Sequence, residues 1–161
     1  MITISAHELS VVVTRTIAAP PAMLYGMVSD LPRIGEWSPT CTGCRWDDDA
    51  RAAAVGAWLT GSNSSGGRQW ETRSEIVAAE EGQRFEFVVG GADEGWVRWS
   101  YSFVPHLTGT EVTEAWQVLR LVPHMGGNDD ELVALKERTL ANIVTTLDNL
   151  KIAAEATNAP D

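Results

Sequence analysis

Cys41 and Cys44 stand in EWSPTCTGCRW (residues 36–46) with the spacing C-x-x-C, and they are the only cysteines in the 161-residue chain. That spacing suits a thiol–disulfide centre or half of a zinc site. The first needs a thiol at a helix N-terminus, where the thiolate is stabilised, and the second needs two further ligands. The sequence offers no second C-x-x-C and no paired histidine. Residues 40–47 read as a strand, and side chains an odd number of positions apart on a strand point to opposite faces. The two thiols are therefore expected to face apart and to share neither a metal nor a disulfide. No metal or cofactor is expected.

His7, His106 and His124 fall near a terminus, at a turn and after the last strand, each without a sequence-local partner. HExxH, GxSxG, GxGxxG and P-loop patterns do not occur. Hydrolase, zinc-enzyme and nucleotide-binding readings lose their footing.

The seven tryptophans say more. In GWVRWSYSFVP, Val97, Trp99, Tyr101 and Phe103 share one strand face. By the same alternation Trp70, Thr72, Ser74 and Ile76 share a face, as do Phe85, Phe87 and Val89, and Val112, Glu114, Trp116 and Val118. Such faces form either a solid core or the wall of a small-molecule cavity, where a few polar groups among aromatics set ligand orientation. The candidate ligand-binding residues are Asn63, Trp70, Thr72, Phe87, Trp99, Tyr101, Glu114 and Trp116. Glu114 is directed inward between Val112 and Trp116, where an unpaired charge is costly. Arg15 has the parity of Val13 and Ile17, and it can pair with Glu114 if the first and last strands are neighbours. That pair is either structural or concerned with ligand and protons. Glu114, Tyr101 and Arg15 are the candidates for catalysis.

The elements that position these residues follow from periodicity. Residues 8–18 alternate as a strand. Pro20 and Pro21 end it and can open a short helix carrying Leu24, Met27 and Val28 on one face, and SDLPRIGEW begins a second. Six strands follow, over about 40–47, 55–62, 68–79, 83–90, 95–105 and 109–120, separated by turns such as NSSGG (63–67) and HLTG (106–109). From about Asp129 to Ala156, Leu132, Leu135, Leu140, Ile143, Val144, Leu147 and Leu150 mark a long amphipathic helix, with Asn128 and Glu131 as a capping box. Helices segregated to one face of an antiparallel meander make an α+β fold.

Hydrophobic residues make up 44% and charged residues 21%, which suits one globular domain over residues 1–161. A net charge of −10 opposes a phosphate backbone, and the 12 Lys and Arg form no basic run, so nucleic acid is not an expected partner. No signal-like start and no 18-residue apolar run occurs, so membrane insertion is not expected and the location is read as cytoplasmic.

VVVTRTIAAPPAMLYGMVSDLPRIGEWSP, VGAWLTGSN, RQWETRSEIVAAEEGQRFEFVV, WVRWSYSFVP, GTEVTEAW and TLDNLKIAAE together resemble the polyketide cyclase/dehydrase-like branch of the START and Bet v 1-like superfamily, also called SRPBCC. The resemblance spans about residues 8–155, and D-x-P-x-x-x-E-W-S-P and G-T-x-V-T-E-x-W carry most of it. It implies a helix-grip fold. In that fold a curved seven-stranded antiparallel sheet grips the C-terminal helix, two short helices close one end, and an apolar cavity lies between. It also implies adjacent first and last strands. Members bind lipids, sterols, polyketides, plant hormones or aromatic metabolites, and a minority catalyse cyclisation or aromatisation. HMGGNDD (124–130) is more acidic and glycine-rich than that pattern.

The leading expectation is a noncatalytic or weakly catalytic protein that binds a small hydrophobic molecule, with Asn63, Tyr101 and Glu114 orienting it between Trp70, Trp99 and Trp116. The alternatives are a polyketide cyclase or aromatase using Glu114, Arg15 and Tyr101, and a regulatory protein docking a partner through Trp58 and Trp96 on the outer sheet face. Those two tryptophans would also serve a homodimer.

Overall fold

Alternation of Val11, Val13 and Ile17 with Val12, Thr14 and Thr16 builds β1 (Val11–Ile17), the first strand in a computed structural model that describes residues 1–160. Pro20 takes the N-cap and Pro21 opens α1 (Pro21–Ser29), where a proline gives up only an N–H that had no helical partner. A 3-10 turn, Leu31–Glu36, is the second short helix. Then come β2 (Cys41–Trp46), β3 (Trp58–Ser65), β4 (Arg68–Glu80), β5 (Arg84–Val89), β6 (Val97–His106), β7 (Gly109–Val118) and α2 (Asp129–Asn158). At about 1.5 Å per residue α2 is roughly 45 Å long. Among the described residues no helix is long and apolar enough to cross a membrane.

The seven strands form one antiparallel sheet in the order β1-β7-β6-β5-β4-β3-β2. The first and last strands are neighbours, with Val13 opposite Glu114 and Arg15 opposite Val112. The inner face is covered from three directions. Leu132, Ile143, Leu147 and Leu150 of α2 are buried, and the helix leans mainly on β1. Tyr25 of α1 meets Phe85 and Phe103 edge-on at 6.0 and 5.9 Å. The 3-10 turn after α1 packs on β2, and Asn149 Nδ2 donates to Trp37 O at 3.0 Å, tying the end of that turn to α2. Each fully buried Leu or Phe contributes about 1.5–3 kcal/mol.

Several local expectations are corrected. Glu8 and Leu9 belong to a 3-10 turn (Ala6–Leu9) rather than to β1, because Glu8 Oε2 accepts from Ser5 N and Oγ at 2.8 and 2.7 Å. β3 continues through Ser65, leaving the reversal to Gly66 and Gly67 at positive φ. Asn128 Oδ1 accepts from Glu131 N at 3.0 Å, but Glu131 Oε2 takes Gly127 N at 2.6 Å, one residue before the expected cap. Leu140 is exposed rather than part of the packed stripe.

The largest correction concerns the cysteines. Pairing of β2 with β3 slips by one residue between Cys41 and Gly43, so that Cys41 faces Asn63 and Cys44 faces Gly61. Asn63 and Gly61 are two apart and share a face, so the bulge at Thr42 cancels the odd spacing. Both thiols face the inner side and both are free. A Cβ built on Gly61 would lie 3.7 Å from Cys41 Sγ, which places that sulfur beside the inner face of β3. Gly35 packs so closely on the bulge that a Cβ there would meet Thr42 O at 2.5 Å.

Candidate functional site

β6 and β7 pair Trp99 with Trp116, Tyr101 with Glu114 and Phe103 with Val112, all on the face turned toward α2. β5 continues the rows with Phe87 opposite Trp99 and Phe85 opposite Tyr101. β3 and β4 add Asn63 opposite Trp70 and Gly61 opposite Thr72. All eight residues expected to bind ligand thus lie on one inner face. Phe87, Tyr101, Glu114 and Trp116 are buried, whereas Asn63, Trp70, Thr72 and Trp99 are half-buried. Asn63 Nδ2 makes only long contacts, 3.4 Å to Gly61 O and 3.4 Å to Thr72 Oγ1. Cys41, Cys44 and Trp46, also half-buried, extend the open part of this face along β2. Sequence reasoning missed these three, although Gly43 inside a strand is a signal for a bulge.

Among the buried residues of this face, Tyr101 Oη donates to Glu114 Oε1 at 2.7 Å. Glu114 is 3% exposed, and its Oε2 is buried without any protein partner. Burial pushes the Glu114 carboxyl up from 4.5 to about 8, outweighing the opposing hydrogen bond from Tyr101. Burial, together with the nearby Glu114 and, less strongly, Cys41, holds the Tyr101 phenol well above its ordinary value. Burial also raises both thiols, Cys44 to about 12. This interior favours neutral forms, so the acid is a proton donor near neutral pH and the thiols are poor nucleophiles.

Arg15 does not join Glu114. Its Nε donates to Asp148 Oδ1 of α2 at 3.2 Å and its Nη1 to Thr14 O at 3.0 Å. β1 is an edge strand against which α2 leans, so the guanidinium meets the helix carboxylate instead of reaching inward. Among the described residues no group of three His, Cys, Asp or Glu is placed to hold a metal.

On the outer face, Trp58 lies under Arg73, whose Cζ is 4.6 Å from the ring centroid. Arg73 in turn holds Asp47, which accepts from Thr60 Oγ1 at 2.9 Å. Trp96 meets His124 edge-on at 5.4 Å. Neither tryptophan is bare. An open cleft of about 1050 Å³ lies where Pro20 and Pro21 approach Gly82, Arg84 and Phe103, and it includes none of the expected ligand-binding residues.

A curved seven-stranded antiparallel sheet closed by a long C-terminal helix, with two short helices after the first strand, is a helix-grip fold of the START/Bet v 1-like type. Residues 8–155 match the family described as polyketide cyclase / dehydrase and lipid transport, and the chain belongs to that family. It is 35% identical to the Polyketide_cyc-like protein Cgl2372 from Corynebacterium glutamicum, whose solution NMR structure aligns over 93% of this chain and 91% of that one with a TM-score of 0.59. The crystal structure of the di-domain ARO/CYC StfQ from the steffimycin biosynthetic pathway shares the fold at 14% identity and TM-score 0.75, covering 94% of this chain and 52% of that one. A START superfamily protein from Mycobacterium smegmatis does so at 17% identity and TM-score 0.68, covering 89% of this chain and 97% of that one. No curated protein matches the chain in sequence.

Proposed function

We propose that this protein binds a small, largely apolar molecule against the inner face of its sheet, in the cytoplasm, with Glu114 and Tyr101 orienting it. One observation carries the reading. The inner sheet face carries half-buried groups, including Trp46, Trp70 and Trp99, and on that same face a buried acid with one unused oxygen. Burial of roughly 300 Å² of ligand surface at about 25 cal/mol per Å² supplies about 7 kcal/mol, much of which association costs offset. The polar anchor then separates a specific complex from weak partitioning. The family's description, which includes lipid transport, and two free thiols suited to a reducing compartment agree with this reading.

Native mass spectrometry of freshly purified protein is expected to show a copurifying small molecule, and tryptophan fluorescence is expected to respond to lipids, polyketides or flavonoids. A bare mass together with a flat signal across all three classes overturns the proposal.

The Glu114–Tyr101 hydrogen bond also favours a second reading. A carboxyl titrating near neutrality beside a phenol suits general acid–base work in an aldol-type ring closure. Turnover of a poly-β-keto substrate that disappears in a folded Glu114→Gln variant supports catalysis, and unchanged turnover removes Glu114 from it.

A further inference from the structure

The unused oxygen of Glu114 narrows the class of ligand. Tyr101 commits its hydroxyl hydrogen to Oε1, so the carboxyl proton belongs on Oε2, the atom that lacks a protein partner. An O–H buried without an acceptor costs about 1–3 kcal/mol, which an incoming acceptor recovers.

Among the described residues no cation is placed to hold the ionised form. On the sheet face shared with Glu114, Arg15 of β1 is engaged by Asp148 of α2, and Arg68 of β4 lies over Trp70 at 5.4 Å, on the half-buried side. The other titratable groups turned toward the pair are the Cys41 thiol of β2 and Tyr101 itself, and Tyr25 of α1 stands against Phe85 and Phe103. None of them supplies positive charge.

Resting on the binding function proposed above, we infer that the molecule taken here is uncharged at its buried end and presents a carbonyl-type acceptor to the Glu114 carboxylic acid, so that binding is gated by that proton. A hydrocarbon end leaves the O–H orphaned. A carboxylate end brings a negative charge to a buried place without a cation. A ketone, quinone or amide carbonyl accepts the hydrogen and adds no donor that would itself need a partner.

Three matched probes test this by calorimetric titration of the full chain at pH 6 and pH 9.5: 2-acetylnaphthalene, 2-ethylnaphthalene and 2-naphthoate. At pH 6 the ketone is expected to bind roughly tenfold or more tighter than the hydrocarbon, with the carboxylate weakest. At pH 9.5 the ketone's advantage is expected to fall within about twofold, since the ionised acid no longer donates. Glu114→Gln keeps an N–H donor that does not titrate, so it should preserve the ketone preference at both pH values. Glu114→Met should abolish it at both. If a variant does not fold, the wild-type comparison across pH still decides. Equal binding of ketone and hydrocarbon at pH 6, or a preference for naphthoate, overturns this inference and leaves the binding function standing. Failure of all three probes to bind a protein that also carries no copurified molecule overturns both.

Discussion

Tyr101 and Glu114 lie directly opposite each other on β6 and β7, and the tyrosine hydroxyl donates to Glu114 Oε1 at 2.7 Å inside the sheet's inner face. The register of two hairpin-linked strands fixes this contact, so its consequences can be tested without knowing the ligand.

Folding raises the Glu114 carboxyl from 4.5 to about 8, so the folded state holds a proton that the unfolded chain releases. Stability from that proton is complete below pH 4.5 and is lost as pH rises through about 8. Relative to Glu114→Gln, the wild-type protein should lose on the order of a few kcal/mol between pH 5 and pH 9, read from denaturant midpoints. Parallel profiles for the two proteins would mean that the carboxyl titrates as if in water.

Tyr101→Phe removes the one donor that Glu114 has. The variant should lose about 1–3 kcal/mol of stability and push the Glu114 titration further up, because that hydrogen bond opposes the effect of burial. NMR titration of the glutamate side-chain carboxyl carbon measures the shift, and a downward move would contradict the assigned bond.

Arg15→Gln tests the opposite kind of contact. The side chains of Arg15 and Asp148 are 35% and 53% exposed, so their ion pair is expected to contribute less than about 1 kcal/mol and to weaken with salt. The Glu114 titration should stay where it is. A large shift would show that the guanidinium acts on the interior acid after all.

Both thiols face inward and burial raises both. Iodoacetamide at pH 7.5 should label the native protein roughly tenfold more slowly than the unfolded chain, since the thiolate is the reactive form. A molecule bound on the inner face should slow labelling further. Rapid native labelling followed by mass spectrometry would place the sulfurs outside.

The sequence made the elements legible wherever alternation or helical spacing ran long. β1, the six-strand meander and α2 emerged because each carries a readable period, and the same alternation gave the faces of Trp70, Thr72, Phe87, Trp99, Tyr101, Glu114 and Trp116, whereas Asn63 fell in the expected turn and joins them only because β3 runs on through Ser65. Two parts were not legible. Parity assumes a regular strand, so the bulge at Thr42 reversed the relation of Cys41 to Cys44. Parity also says which face a side chain takes but not what waits there, so Arg15 was matched to Glu114 when Asp148, 133 positions along the chain, lies closer to hand. The Tyr101–Glu114 contact depended on strand register, which a two-residue period alone does not supply.

The placement of β1 beside β7 bears on how the chain reaches its native state. β2 to β7 can assemble hairpin by hairpin from nearby contacts, whereas pairing Val13 with Glu114 closes a loop of about a hundred residues. Such distant closure is slow, because much backbone freedom is lost before any contact repays it. The pairing of β1 with β7, and with it the closing of the sheet edge beside Glu114, is therefore expected to be a late step of folding.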